Sequence, residues 1–337
     1  MRYRPEGVNF PADPLCLTGM RRLLAASVLL LAACRTAAPP ALVTERQPPL
    51  VATPPAPPVP PPAPIPEPRI ALVLGGGAAR GFAHIGVIRV LEQERIPVSL
   101  VVGTSVGSLI GALYASHKDS FELEWTAFQL DRDDLFDFGL VNAVVGMGYA
   151  KGEKLEKFVR ESVKQRDIEQ LRVPFAAVAA DLNWGQTVVL DKGSVARAVR
   201  ASSAIPGVFE PVEHQGKLLV DGGVVDNIPI DVAKAKGADL VIAVDIGADV
   251  GNTNIKNVVD VILQASDIMF AVNVGFRRQG ADVLVQPKVG GVGMLDFTKK
   301  KECMLAGIQA TRDAMPRIRA AIDQWKARKA LEGRPRG

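Results

Sequence analysis

A serine stands between two glycines in Gly103-Thr104-Ser105-Val106-Gly107, after a short apolar run at residues 100–102. Val106, Leu109, Ile110 and Leu113 follow at helical spacing. In such a strand–turn–helix setting, G-x-S-x-G holds a serine in a strained turn with its hydroxyl presented, and the glycines keep the flanking elements from colliding. The chemistry implied is nucleophilic attack by Ser105, which needs a base within hydrogen-bond reach.

Three histidines are present. His84 falls in the first helical segment and reads as a polar residue packed at its start. His117 trails the serine's helix and reads as a solvated residue at the negative end of that helix. His214, in the hairpin-like Glu213-His214-Gln215-Gly216, reads as exposed. A Ser–Asp–His chain order would need His214 with Asp181 or Asp191. The other choice is a carboxylate, because partial burial raises the pKa of an aspartate. Asp221 is the strongest candidate, since Val220-Asp221-Gly222-Gly223 follows an apolar run and two glycines present the side chain at a strand end. Asp181 and Asp245 also end apolar runs, where satisfying local backbone N–H groups is the simpler role.

Gly75-Gly76-Gly77-Ala78-Ala79-Arg80-Gly81 lies between an apolar run and a helical segment. Successive backbone amides in such a stretch converge on one concavity, and the following helix adds its positive end, so the loop suits a phosphate or an oxyanion. A dinucleotide site would want an acidic residue at the end of the second strand. That position holds Gly103-Thr104-Ser105, which argues against one. No histidine–carboxylate or cysteine cluster has ligand spacing, so no metal or redox cofactor is implied.

The elements that must position these residues alternate. Ile70–Leu74, residues 175–180, Thr187–Leu190, residues 218–220, Leu240–Val244 and residues 283–286 read as strands. Between them, Phe82, Ile85, Ile88 and Leu91, then Leu155, Phe158, Val159 and Val163, then Val258, Ile262, Ala265 and Met269 fit helical faces. The tail from Lys301 reads as helical with a break at Pro316. Its apolar residues Ile308, Ile318, Ile322 and Trp325 suit packing on the core better than lying on a membrane. Alternation of this kind specifies an α/β fold with a mostly parallel sheet.

The glycine-rich loop, the Ser105 motif and Asp221-Gly222-Gly223, in this order, resemble the patatin-like phospholipase family. Arg80-Gly81-Phe82-Ala83-His84-Ile85-Gly86, Ala201-Ser202-Ser203-Ala204-Ile205-Pro206-Gly207 and Asp226-Asn227-Ile228-Pro229 match it in style. The likeness is strong over residues 70–236 and looser through residues 290–297. It implies a three-layer α/β/α fold and a Ser–Asp dyad without histidine. Ser105 would be nucleophile and Asp221 base, with backbone amides of Gly76, Gly77 and Ala78 as the oxyanion hole. Gly75, Arg80, Gly81, Gly103, Gly107, Gly222 and Gly223 would support the motifs. The chain has one residue more between Gly77 and Gly81 than the family's G-x-G-x-x-G, a variant also met in bacterial relatives. Arg80 would meet a lipid phosphate or close the loop. The activity implied is that of a serine esterase or phospholipase acting on membrane lipid or other acyl esters. Acyl transfer to another acceptor and lipid or partner binding without turnover are the alternatives.

Residues 1–33 read as a secretory signal peptide: Arg21 and Arg22 precede a short apolar run, and Met20 offers an alternative start. The run ends Leu31-Ala32-Ala33-Cys34, which resembles the lipobox of bacterial lipoproteins and makes Cys34 the expected lipidation site. Arg35, rather than aspartate, follows it, which by resemblance to known sorting rules favours the outer membrane or periplasmic face of a bacterial envelope. Residues 39–68 hold fourteen of the 25 prolines, a composition that excludes helix and sheet. Residues 34–68 are therefore expected to be a tether of up to roughly 100 Å ahead of a hydrolase domain at 69–337. With Cys16 removed and Cys34 acylated, Cys303 is left without a disulfide partner. Net charge is +4 from 40 basic and 36 acidic residues, and part of the excess sits at the N-terminus, where Arg2, Arg4, Arg21 and Arg22 face only Glu6 and Asp13. No basic footprint for nucleic acid remains.

Overall fold

Ile70–Leu74 is a run of five apolar residues without alternation, buried on both faces. Only an inner strand of a sheet covered on both sides accepts such a segment. The computed structural model describes residues 66–131, 148–251 and 255–332, and this run is its central strand, β1. The expected signal peptide, Cys34 and nearly all of the tether lie outside the described residues. Those described fall within one unit of the chain, 62–337.

The strands are β1 (Ile70–Leu74), β2 (Val98–Thr104), β3 (Gly148–Ala150), β4 (Phe175–Asp181), β5 (Thr187–Leu190), β6 (Gly207–Phe209), β7 (Val212–His214), β8 (Lys217–Asp221), β9 (Leu240–Val244) and β10 (Val283–Val285). The main sheet runs β10-β9-β1-β2-β4-β8-β7, with β5 also paired to β4. From β10 to β4 every pairing is parallel; β5, β7 and β8 join antiparallel. β3 and β6 form a separate parallel pair.

The helices are α1 (Phe82–Gln93), α2 (Val106–His117), α3 (Ser120–Phe128), α4 (Glu153–Ser162), α5 (Val195–Ser202), α6 (Ile230–Ala235), α7 (Val258–Arg277) and α8 (Lys300–Glu332). Alternate residues of β1 face opposite layers, as strand geometry demands. Ile70, Leu72 and Leu74 pack with α1, α2 and α8 residues, whereas Ala71 and Val73 pack with Ile230 and Val232 of α6 and Val274 of α7. The fold is thus three layers, helix on sheet on helix, with a mostly parallel sheet.

The expected helix break is absent. Pro316 lies inside an unbroken α8. An interior proline costs a helix about 3 kcal/mol. Here Thr311, Ala314 and Met315 before it and Ile318 and Trp325 after it are all buried, so one packed face spans the proline and outweighs that cost.

Candidate active site

The serine turn is built by strain and held by neighbours. Ser105 has φ 54° and ψ −127°, between the end of β2 and the first residue of α2. A non-glycine residue there is strained by about 1–3 kcal/mol. The flanking glycines permit the turn: a Cβ on Gly103 would stand 2.4 Å from the Gly107 carbonyl oxygen, and one on Gly107 would stand 2.1 Å from that of Leu74. The Ser105 amide donates to Ser202 Oγ at 3.0 Å, and Ser202 Oγ donates to the Val178 carbonyl at 2.6 Å. The Ser105 carbonyl accepts from the Ser108 amide at 2.8 Å and from Ser108 Oγ at 2.7 Å.

Asp221 reaches this turn through sheet register. Along β4, Val178 pairs with Thr104, the last residue of parallel β2, and the next residue, Ala179, pairs with Asp221, the last of antiparallel β8. The two strands approach head-on, so Ser105 and Asp221 meet where both end. The Asp221 side chain is fully buried, and Oδ1 accepts the Gly223 amide at 2.8 Å. Oδ2 has no hydrogen bond of ordinary geometry, and the Ser105 hydroxyl is the side chain that favours its charged form. Burial dominates, lifting the pKa from the usual carboxylate range to about 7; the Ser105 hydroxyl and the Gly223 amide pull the other way.

The glycine-rich loop lies against the serine: a Cβ on Gly76 would be 3.1 Å from Ser105 Cβ. The structure narrows the expected oxyanion donors. The Gly76 amide is already committed to Asn227, at 3.3 Å to the carbonyl and 3.2 Å to Oδ1, while Asn227 Nδ2 donates back to the Gly76 carbonyl at 3.3 Å. The Gly75 amide bonds to Val244 and that of Ala79 to Met294. The amides of Gly77 and Ala78 take no acceptor among the described residues.

Arg80 is buried and forms an ion pair with Asp267 of α7 at 2.5 Å, and Nη1 donates to the Val292 carbonyl at 3.1 Å. It closes the loop and faces no solvent from which a phosphate could approach. His84 Nε2 donates to the Gly75 carbonyl at 2.8 Å; burial pushes its pKa down to about 4, so it is a neutral ring supporting the loop. His117 is buried rather than solvated, with Nδ1 against Glu122 at 2.5 Å and Nε2 against the Ser162 carbonyl at 2.9 Å, because α4 and α3 enclose it. His214 sits opposite Lys217 at the far end of β8, about 13 Å of strand from Asp221. Asp181 and Asp245 accept local turn amides, and Asp191 pairs with Lys236. Among the described residues no group of three or more metal-ligating side chains gathers.

Sequence reasoning assigned no role to Ser202 or Asn227, although both lie in segments singled out above. Beside Ser105 opens an almost entirely apolar recess of about 580 Å³, its solvent mouth included, walled by Phe82, Leu109, Leu130, Leu155, Phe209 and Phe297. Ala78 and Ser203 also line it.

Residues 72–234 match the family model described as patatin-like phospholipase. An uncharacterised NTE family protein of Mycobacterium bovis is 39% identical over 186 residues, covering 55% of this chain and 51% of that protein. Lysophospholipase NTE1 of Mycosarcoma maydis is 38% identical over 181 residues, covering 53% of this chain and 10% of that protein. The chain therefore spans about half or less of these curated relatives. VipD of Legionella pneumophila superposes with a TM-score of 0.51 at 15% identity, over 74% of this chain and 66% of that one, a likeness of fold. With its three glycine-flanked turns inside the matched segment, residues 72–234 of this chain form a domain of the patatin-like phospholipase family.

Proposed function

We propose that this protein is a lipid acyl hydrolase in which Ser105 is the nucleophile and Asp221 the base. The observation that carries the reading is the head-on meeting of β2 and β8, which sets a buried carboxylate, undersupplied with hydrogen bonds, beside a strained serine. Asp221 takes the hydroxyl proton as Ser105 attacks an ester carbonyl. The oxyanion rests on the Gly77 and Ala78 amides, where losing one such donor typically costs about 10²–10³ in rate. The alcohol leaves with a proton from Asp221, and water activated by the same carboxylate releases the fatty acid from the acyl-enzyme. The apolar recess suits an acyl chain. A lipidated Cys34 would hold this chemistry at an envelope membrane.

On a p-nitrophenyl acyl ester, Ser105→Ala and Asp221→Asn each abolish turnover, whereas His214→Ala leaves it intact. Full activity in the serine variant refutes the assignment. Activity lost with His214 alone favours a triad. An acyl chain appearing on an acceptor other than water makes the enzyme a transferase.

A further inference from the structure

Helix α7 is apolar on the side that faces solvent as well as on the side that packs. Ser266, Asp267 and Asn273 face the protein beside Leu263, Phe270 and Val274, and every exposed position of its 20 residues is apolar or glycine. Val258, Val261, Ile268, Met269, Val272 and Phe276 form a stripe on the solvent side, with Phe276 80% exposed. The segment Val258–Gly280 is long and apolar enough by composition to cross a membrane. It is not free to do so, because its inner face is bonded to the candidate site. Asp267 pairs with Arg80 of the oxyanion loop. Asn273 Nδ2 donates to the carbonyls of Gly223 at 3.1 Å and Val224 at 2.8 Å, in the turn that follows Asp221. A Cβ on Gly223 would lie 2.5 Å from the Phe270 ring, and one on Gly207, beside the recess, 3.0 Å from Ile262.

Resting on the lipid-hydrolase reading above, we propose that the outer face of α7 is a membrane-docking surface that lies in the plane of a lipid interface while its inner face holds the catalytic turns. An amphipathic helix of this kind buries its apolar face about 5–10 Å into the boundary between headgroups and acyl chains. Lys256 and Arg278 stand exposed just beyond its two ends, where anionic headgroups would meet them. Pairing with a second copy is the weaker use of the stripe. A helix about 30 Å long and about 10 Å wide offers roughly 300 Å² per partner, well under the roughly 800 Å² of a stable protein interface. A bilayer has no such threshold and holds the substrate.

The test uses the full chain carrying Cys34→Ala, so that no N-terminal acyl group can hold it to a vesicle. Ile268→Gln, Val272→Gln and Phe276→Gln are combined in that background. Flotation with phosphatidylcholine–phosphatidylglycerol vesicles and hydrolysis of vesicle phospholipid should each fall about tenfold or more, as expected on losing three membrane-buried side chains. Hydrolysis of a soluble p-nitrophenyl butyrate should stay at the parental rate. Equal flotation of parent and variant overturns the proposal, as does a parent that stays off vesicles. A parental dimer that the variant splits makes the stripe a subunit seam and overturns it too. If neither protein cleaves the soluble ester but only the parent floats, docking stands and the hydrolase reading falls. Phe276→Trp supplies a measurement independent of the triple variant: its indole emission should shift to the blue on vesicles, and an unshifted emission counts against docking.

Discussion

Asp221 is asked to carry charge where burial resists it. That conflict makes its proton transferable near neutrality, since a base works best when its pKa lies near the working pH. With the carboxyl titrating at about 7, the ionised form that the proposed mechanism needs is scarce at pH 5 and predominant at pH 8. We expect kcat/KM on a soluble ester to climb about tenfold per pH unit below 7 and to level above it. A profile already flat from pH 5 would remove Asp221 from the role of base. Ser202 acts one bond further out. Its hydroxyl accepts the amide of the strained serine and donates to Val178, the residue beside which the two strands end. Ser202→Ala leaves the Ser105 amide buried without an acceptor, a loss of about 1–3 kcal/mol. We expect kcat to drop about 10- to 100-fold with KM nearly unchanged, and fluorophosphonate labelling of Ser105 to slow in parallel; a KM effect alone would assign Ser202 to substrate binding.

Elements decide which of these residues could be read from sequence. Ser105 and Asp221 stand out because glycines flank them, and that spacing is visible in sequence even where the group that requires the glycine, Leu74 for Gly107 or Phe270 for Gly223, is distant. Ser202 and Asn227 carry no such mark. Their partners are 97 and 151 residues away, so their roles exist only once β2, β4 and the glycine-rich loop have assembled. His117 and Pro316 depart from their sequence expectations for the converse reason: local rules for helix ends and prolines yield when tertiary packing encloses the residue. Arg80 left two roles open in the sequence, and its partner on α7 decides between them. That pair joins the glycine-rich loop to α7 in a buried setting, so Arg80→Met strands the Asp267 charge at a cost of about 3–5 kcal/mol. We expect a marked loss of thermal stability in the single variant and substantial recovery in Arg80→Met/Asp267→Met. A double variant no more stable than the single would place Arg80's contribution in its bond to the Val292 carbonyl instead.

For the whole molecule, the burial that raises the Asp221 pKa makes the stability of the fold depend on pH. Asp221 and Asp226 have folded pKa values raised by burial, to about 7 and about 6, so each holds a proton in the folded chain that the unfolded chain has released. Both therefore favour the folded state less as pH rises from 5 toward 7. His84 opposes them. Its folded pKa is pushed down to about 4, so below about 6.5 the unfolded chain gains a proton that the folded chain refuses, and this disadvantage fades as pH rises. The exposed carboxylates whose pKa values are lowered, such as Glu122 and Asp191, stay ionised in both states throughout this window. The difference between a variant and its parent cancels every group but the one changed. Asp221→Asn keeps an acceptor for the Gly223 amide and removes the buried ionisation. The variant's stability relative to the parent should rise by about 2–3 kcal/mol from pH 5 to about 7, at about 1.4 kcal/mol per pH unit, and stay level above that. Turnover should be lost at every pH. A lead that is the same at pH 5 and pH 8 would mean that the carboxyl does not change ionisation in this range, and the rate profile expected of it would fail with it.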